Sequence, residues 1–220
     1  MVRASLFALV LLAACGGTRD GAADARVVHL TDAGPDADPT DAPVDAWPCG
    51  VVGDLTLPPE MQVVYRTEQG ASLVVDGATL PLVDPIQGGK VLLIGLRVKN
   101  VDLCESSIQI AIKDLVNGRV AGVERRSVTW GLAPDGFAEP ADPVTFYDYA
   151  NVPLCPNGNI AQDIDGNPWQ LEAQFYNGNL ITAEQLLTIT PSCADVVDPT
   201  QCQCECAMDN TGSCGGFGGG

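Results

Sequence analysis

The sequence contains a single histidine, His29, and this scarcity excludes several classes of enzyme. Hydrolases with a histidine base, zinc enzymes with histidine ligands and most proton shuttles all need a positioned imidazole. His29 lies in a low-complexity stretch near the N-terminus, where no packed surroundings would hold its ring. We therefore interpret it as a solvated side chain and do not expect the chain to be an enzyme.

Basic and aromatic residues are also few. The chain has 11 Lys and Arg against 28 Asp and Glu, which gives a formal net charge of −17. Such an acidic chain repels nucleic acid and anionic lipid headgroups, so we expect no nucleic-acid partner. Aromatic residues make up 5% of the chain, so no platform for stacking sugars is evident. A carboxylate-based hydrolase of envelope polymers stays open as a less favoured alternative, because the separation of two carboxylates in space is not visible in a sequence.

The apolar run near the N-terminus, residues 4–11, is too short to span a membrane. It follows Arg3 and leads into Leu12-Ala13-Ala14-Cys15. A basic start, a short apolar core and small residues before a cleavage site are typical of a secretory signal. One interpretation of this stretch is therefore an ordinary cleaved secretory signal that happens to contain a cysteine.

Leu12-Ala13-Ala14-Cys15 resembles the lipobox of bacterial lipoproteins. This resemblance implies that residues 1–14 are a signal peptide and that Cys15 becomes the first residue of the mature chain, diacylated on its thiol and acylated (commonly with palmitate) on its amino group. Gly16 stands where an aspartate commonly retains bacterial lipoproteins at the inner membrane. The resemblance therefore implies a lipid anchor in the cell envelope, at the outer rather than the inner membrane, with the chain periplasmic or surface-exposed.

Residues 15–46 are dominated by Asp, Ala and Pro. Such a segment cannot bury enough apolar surface to offset its ordering entropy, so we predict a disordered, extended spacer. In a polyproline-like form, roughly thirty residues would reach about 80–90 Å. The composition resembles the tethers of surface lipoproteins in myxobacteria. Its aspartates are Asp20, Asp24, Asp32, Asp36, Asp38, Asp41 and Asp45.

The chain has nine cysteines, of which eight remain if Cys15 carries lipid. An even number of cysteines in an exported chain predicts disulfides, whereas a cytosolic chain would suggest metal or redox chemistry. If the chain is extended at Cys202-Gln-Cys204-Glu-Cys206, the three thiols lie on one face, and with Cys214 they would suit a soft metal. Disulfides, a metal site and thiol redox chemistry thus remain open for these four. The disulfide candidates are Cys49, Cys104, Cys155, Cys193, Cys202, Cys204, Cys206 and Cys214.

Residues 47–193 carry repeated β patterns separated by Gly, Pro, Asn and Asp, which predicts a two-sheet β-sandwich. The most apolar strand is predicted at residues 90–100. Its even-numbered positions Leu92, Ile94, Leu96 and Val98 are uniformly apolar and should face the core. Hairpins are predicted at residues 68–71 and at Asn117-Gly118. The predicted strands cover residues 61–67, 72–76, 90–100, 108–115, 119–130, 144–149, 169–176, 180–182 and 185–190.

Residues 163–190 resemble the last two strands of immunoglobulin-like domains, with an Asp-Gly corner, an aromatic residue at Trp169 and a final hairpin. The fold class expected is thus all-β, an immunoglobulin-like two-sheet sandwich with a disordered N-terminal tether and a Cys/Gly-rich tail over residues 194–220. The resemblance implies that Cys155 and Cys193 lie at one end and pair. It also implies a Cys49–Cys104 pair, with the tail cysteines pairing among themselves.

Asp163, Asp165 and Asn167 place oxygen-bearing side chains at alternate positions, as calcium loops do. No bidentate glutamate follows at the expected spacing, and Asp-Gly also makes ordinary turns. A weak calcium site and a structural corner are the two alternatives.

The function expected from these observations is that of a non-catalytic, membrane-anchored surface lipoprotein. Its sandwich would bind an envelope or extracellular protein or polysaccharide, or would contribute to the envelope or its matrix. A calcium- or other divalent-metal-binding module is the alternative.

Overall fold

The computed structural model describes residues 49–67, 70–85, 88–141, 147–157, 160–208 and 214. The signal peptide, Cys15 and the tether lie outside the described residues, so what the sequence indicates about them stays a prediction. Within the described ranges, no helix is long and apolar enough to cross a membrane.

Thirteen strands and one short helix make up the described part of the chain. In chain order they are β1 Val51–Val52, β2 Glu60–Thr67, β3 Gly70–Leu73, β4 Ala78–Pro81, β5 Lys90–Lys99, β6 Val101–Asp102, β7 Ser106–Lys113, β8 Val120–Ser127, β9 Trp130–Leu132, β10 Ala138–Pro140, β11 Ala150–Cys155, β12 Trp169–Asn177, β13 Leu180–Ser192 and α1 Pro199–Glu205.

These strands form two main sheets, which confirms the all-β sandwich. One sheet has six strands, in the order β3-β2-β5-β10-β9 with β11 also on β5, and the other has five, in the order β4-β13-β12-β7-β8. The chain changes between these two sheets five times: between β3 and β4, between β4 and β5, between β5 and β7, between β8 and β9, and between β11 and β12. The last hairpin, β12–β13, lies beside β7, and β4 runs parallel to β13. This arrangement is the expected immunoglobulin-like one.

The central strand β5 separates two environments, as its sequence predicts. Leu92, Ile94, Leu96 and Val98 are at most 1% exposed and belong to the main core. The opposite sheet contributes alternate residues of β7 and β12 to the same core. The odd-numbered side of β5 faces outwards, where Val91 and Leu93 form a smaller cluster with Val64 and Tyr149. Burial of one face of each sheet holds the sandwich together.

Trp169 occupies the position of the corner aromatic and is fully buried. Its indole Nε1 has no hydrogen-bond partner among the described residues. The corner is held instead by Asp165, whose Oδ1 accepts from the backbone N–H of Cys193 at 2.7 Å.

Two strand predictions need correction. The predicted strand over residues 119–130 is divided into β8 and β9, which lie in different sheets. The strand predicted at residues 144–149 is a turn over its described residues 147–149, and the pairing segment is β11. Strand β11 was not predicted because it contains Pro153, which lacks a backbone donor, and proline is normally depleted in paired strands.

The Asn117-Gly118 hairpin forms, but with a longer loop than the two-residue turn predicted. The loop runs from residue 114 to residue 119, and within it the Oδ1 atom of Asp114 accepts from the backbone N–H groups of Val116 and Asn117. Only Gly118 of the two predicted turn residues has a positive φ, 68°.

The segment after Cys193 is part of the folded domain and not a separate tail. Val196, Cys202 and Cys206 are buried in the main core together with Ile164. Helix α1 begins at Pro199, after Asp198, whose side chain caps the N–H of Gln201 at 2.9 Å. The domain therefore continues to at least Met208, and residues 194–208 form a cap over one end of the sandwich.

Candidate functional site

The outward face of the six-stranded sheet carries a row of polar side chains centred on Arg97. The strand register places Gln62 of β2 and Glu139 of β10 on either side of Arg97 of β5. Successive side chains of a strand point to opposite faces of the sheet. Each of these three residues directly adjoins a residue that faces the core, so all three side chains point away from it. The row is therefore assembled from three strands that are distant in sequence.

Each nitrogen of the Arg97 guanidinium donates a hydrogen bond. Nε donates to Glu139 at 2.9 Å, one terminal nitrogen to Gln62 at 2.7 Å, and the other to both carboxylate oxygens of Asp135 at 2.6 and 2.7 Å. The ring of Phe137 lies 4.9 Å from the guanidinium carbon. A planar fork of donors matches this set of acceptors, and a lysine could not reproduce it.

These contacts change the protonation equilibria of the pair. The hydrogen bond from Arg97 lowers the pKa of Asp135 below its ordinary value of 3.8, with partial desolvation acting the other way. Burial opposes the charge on Arg97, but the hydrogen bonds to Asp135 and Glu139 outweigh it and raise the pKa of Arg97. The ion pair is thus fully formed at neutral pH.

A groove of about 320 Å³ lies beside this row on the same face. Val64 and Tyr149 supply apolar surface, and the Arg97–Glu139 pair supplies charge. Gly95 permits the ring of Tyr149 to lie against β5, because a Cβ at this position would come within 3.0 Å of the ring. The other lining residues are Ala71, Gly131, Leu132, Pro140 and Ala141. A groove that combines apolar and charged lining is suited to binding a small group or a side chain.

The second chemical centre of the described chain is the cap, where four cysteines meet. Cys155–Cys206 and Cys193–Cys202 form two disulfides, and the Sγ atom of Cys206 lies 4.0 Å from each sulfur of the Cys193–Cys202 pair. The predicted Cys155–Cys193 disulfide is therefore wrong. The two residues do meet at one end of the sandwich, but Cys193 bonds to Cys202 in helix α1, and Cys155 bonds to Cys206 just after the helix.

Of the other two disulfides, one was predicted from the sequence and the other agrees with the prediction only in part. Cys49–Cys104 is present as predicted, next to the short β1–β6 pair, with Cα atoms 4.6 Å apart. Of the four cysteines expected to pair among themselves, only Cys204 and Cys214 do so.

The helix also corrects the expected arrangement of the tail thiols. The prediction of three thiols on one face assumed an extended chain, in which residues two apart share a side. In an α-helix the residues that share a face are three or four apart. Cys202 and Cys206 are accordingly buried together, whereas Cys204 is exposed and points away from them.

The weak calcium candidates lie in the turn before β12, and each has a protein partner. Asp163 accepts from the N–H of Met208 at 2.7 Å, and Asp165 accepts from that of Cys193. The side-chain amide of Asn167 donates to the backbone carbonyls of residues 163 and 165. These bonds are those of a structural corner that ties the cap to β13, and calcium binding stays a prediction.

A carboxylate-based hydrolase would need two carboxylates at one site, and five of the described glutamates, Glu105, Glu124, Glu139, Glu172 and Glu184, do not converge on one. Glu172 pairs with Lys113, Glu124 with Arg126 and Glu139 with Arg97. Glu184 accepts from Gln174 at 3.1 Å on the outer face of the five-stranded sheet. Glu105 lies in a turn with φ of 52°.

Sequence reasoning placed Arg97 on the outward face of its strand but did not identify its partners. Gln62, Asp135 and Glu139 are separated from it by 35 to 42 positions, and no local pattern connects them. Helix α1 did have a signal, namely Asp198 followed by Pro199, the usual cap and first position of a helix.

No protein-family model matches the chain, and neither a curated protein nor a solved structure is detectably similar to it. The function must therefore be inferred from the residues and their geometry.

Proposed function

We propose that this chain is an exported, lipid-anchored protein of the bacterial cell envelope. Its disulfide-linked β-sandwich acts as a non-catalytic binding or structural module, held away from the membrane by the acidic tether. The groove beside Arg97 is the surface at which a small group of an envelope protein or polysaccharide binds.

The observation that carries this proposal is the complete use of the domain cysteines. The eight cysteines of the described part pair with one another in four disulfides. Disulfides persist in exported proteins and are rare in the cytosol. An intramolecular disulfide to Cys15 would have to break one of these four bonds, so the thiol of Cys15 is left for another use. Lipidation at a lipobox is such a use.

The contacts of Glu124, Glu139 and Glu172 favour a non-catalytic role. Each of these three forms an ion pair with a basic side chain, so its carboxylate is already engaged within the folded domain. The groove combines apolar residues such as Leu132 with the Arg97–Glu139 ion pair, and such a mixture is suited to recognition.

Lipid attachment is tested by expressing the full chain in a bacterial host supplied with labelled palmitate. We expect label in the native chain and in Cys204→Ser/Cys214→Ser, and none in Cys15→Ser. A cleaved native chain without label would mean an ordinary secretory signal, and label retained in Cys15→Ser would contradict the assigned position.

Binding at the groove is tested with two leucines of equal exposure on opposite sheets. Leu132 borders the groove and is 51% exposed, whereas Leu186 on β13 is 53% exposed. Native protein, Leu132→Glu and Leu186→Glu are immobilised and incubated with envelope extracts, with and without calcium. We expect Leu132→Glu alone to lose the captured component. Equal capture by all three proteins would remove the groove from the proposal.

A further inference from the structure

We propose that Cys155, Cys193, Cys202 and Cys206, once both of their disulfides are reduced, form a tetrathiolate site for Zn²⁺ or a similar soft metal ion. The site lies in the cap and is independent of the groove and of the lipid anchor. The cysteines differ from the sequence-based metal candidates, since Cys204 and Cys214 are replaced by Cys155 and Cys193.

Two of the distances between the sulfurs are close to what zinc requires. A Zn–S bond of about 2.3 Å in a tetrahedron places neighbouring sulfurs about 3.8 Å apart. The sulfur of Cys206 lies 4.0 Å from those of both Cys193 and Cys202, and the ligand atoms of these three all lie within 4.8 Å of one another. The sulfur of Cys155 is bonded to that of Cys206. Three sulfurs are thus gathered within the span of one tetrahedral site, and the fourth, that of Cys155, is bonded to one of them.

The protein supplies these ligands from three firmly placed segments. Cys155 is the last residue of β11, and Cys193 directly follows β13. Cys202 and Cys206 are one turn apart in and just after α1, with the N–H of Cys206 donating to the carbonyl of Cys202 at 2.9 Å. Two ligands on one helical turn, together with one from each sheet, form a closed set of four, as structural zinc sites have.

Burial further favours a metal in the reduced state. Cys193, Cys202 and Cys206 are at most 1% exposed, and Cys155 is 5% exposed. Ile164 and Val196 belong to the same buried cluster. Such a closed setting leaves no open coordination position for water, so the site would be structural and not catalytic. A thiolate site of this kind contributes its binding energy to folding.

The chemistry balances with a dithiol as the reductant. Each disulfide takes two electrons and two protons from one dithiol, which itself becomes a disulfide, and two cysteine thiols result. Zn²⁺ then binds four thiolates and releases four protons. Breaking each S–S bond lets its two sulfurs separate from bonding distance to the spacing that zinc needs. The oxidised protein lacks thiolates and should not bind the ion.

The experiment uses a full chain in which Cys15, Cys49, Cys104, Cys204 and Cys214 are replaced by serine, so that only the four cap cysteines remain. The protein is reduced without oxygen and titrated with Co²⁺ and Zn²⁺. We expect one ion per chain, the visible absorption of tetrahedral cobalt thiolate, and no binding before reduction. Native mass spectrometry gives the stoichiometry and the number of protons released.

The matched variants test which cysteines are used. Adding Cys155→Ser/Cys193→Ser should weaken binding by at least about tenfold, whereas restoring Cys204 and Cys214 should leave it unchanged. Circular dichroism shows whether reduction unfolds the cap and whether the metal refolds it. Absence of the tetrahedral spectrum, equal binding after loss of Cys155 and Cys193, or a reduced chain that zinc fails to refold would each overturn the proposal. Binding that requires Cys204 and Cys214 would also overturn it.

Discussion

The sulfurs of Cys202 and Cys206 lie 4.0 Å apart on one helical turn, yet each belongs to a different disulfide. Cys202 is bonded to Cys193 at the end of β13 in the five-stranded sheet. Cys206 is bonded to Cys155 at the end of β11 in the six-stranded sheet. Helix α1 therefore links the two sheets covalently at one end of the sandwich.

Removing one of these links should destabilise the domain more than removing the outermost disulfide. Cys155–Cys206 closes a loop with a sequence separation of 51, against 10 for Cys204–Cys214. Loop-closure entropy gives losses of about 4 and about 3 kcal/mol respectively. Burial of Cys206 adds to the first loss, and exposure of Cys204 reduces the second. Urea unfolding of Cys155→Ala/Cys206→Ala and of Cys204→Ala/Cys214→Ala measures the difference. Equal unfolding midpoints would contradict the larger stabilising effect assigned to the Cys155–Cys206 link.

Gly122 should not tolerate alanine. Gly122 lies on β8, where a Cβ would collide with the carbonyl oxygen of Pro153 on β11. We expect Gly122→Ala to lower the free energy of unfolding by about 1–3 kcal/mol, because the backbone oxygen cannot move without separating β8 from β11. Gly131→Ala is the control, since its Cβ would meet Ala141 at 3.3 Å, and it should cost less. Thermal unfolding of both variants is sufficient, and the opposite order would argue against this contact.

Substitutions of Asp165 distinguish a structural corner from a calcium site. Its carboxylate accepts from the N–H of Cys193, which is fully buried. Asp165→Ala leaves that donor unsatisfied and should cost about 1–3 kcal/mol, whereas Asp165→Asn keeps an acceptor and should cost less. For a calcium site, both variants would abolish a calcium-dependent rise in Tm. We expect calcium to leave the Tm of all three proteins unchanged, and a rise confined to the native protein would favour calcium.

The Arg97–Asp135 pair should contribute stability only above acidic pH. The pKa of Asp135 is lowered from 3.8 mainly by the hydrogen bond from Arg97. A carboxylate with a lowered pKa in the folded state contributes fully above its unfolded pKa and loses this contribution as the pH falls through the folded pKa. The stability difference between native protein and Asp135→Asn should therefore be constant above about pH 5 and shrink below pH 3.8. In an Arg97→Leu background this shrinkage should be largely lost, and a pH dependence unchanged there would exclude Arg97 as its cause.

Much of the sandwich could be predicted because strand periodicity is a local property. The alternation along β5 showed which side chains face the core, and the hairpin between β12 and β13 followed from its turn residues. The missed strand β11 contains Pro153 and is identified only by its pairing with β5, which begins sixty residues earlier. The split between β8 and β9 was equally hidden, since a change of sheet leaves no periodic signature.

The sequence by itself determined the β class of the domain, the buried face of β5 and the Cys49–Cys104 pair that the resemblance implied. Only the tertiary structure decided which cap cysteines bond, which side chains surround Arg97 and where the domain ends. The reason is physical. Side-chain direction follows from neighbouring residues through the period of a strand or helix. The meeting of Cys155 with Cys206, or of Arg97 with Glu139, depends on how separate elements pack, and sequence spacing does not encode that packing.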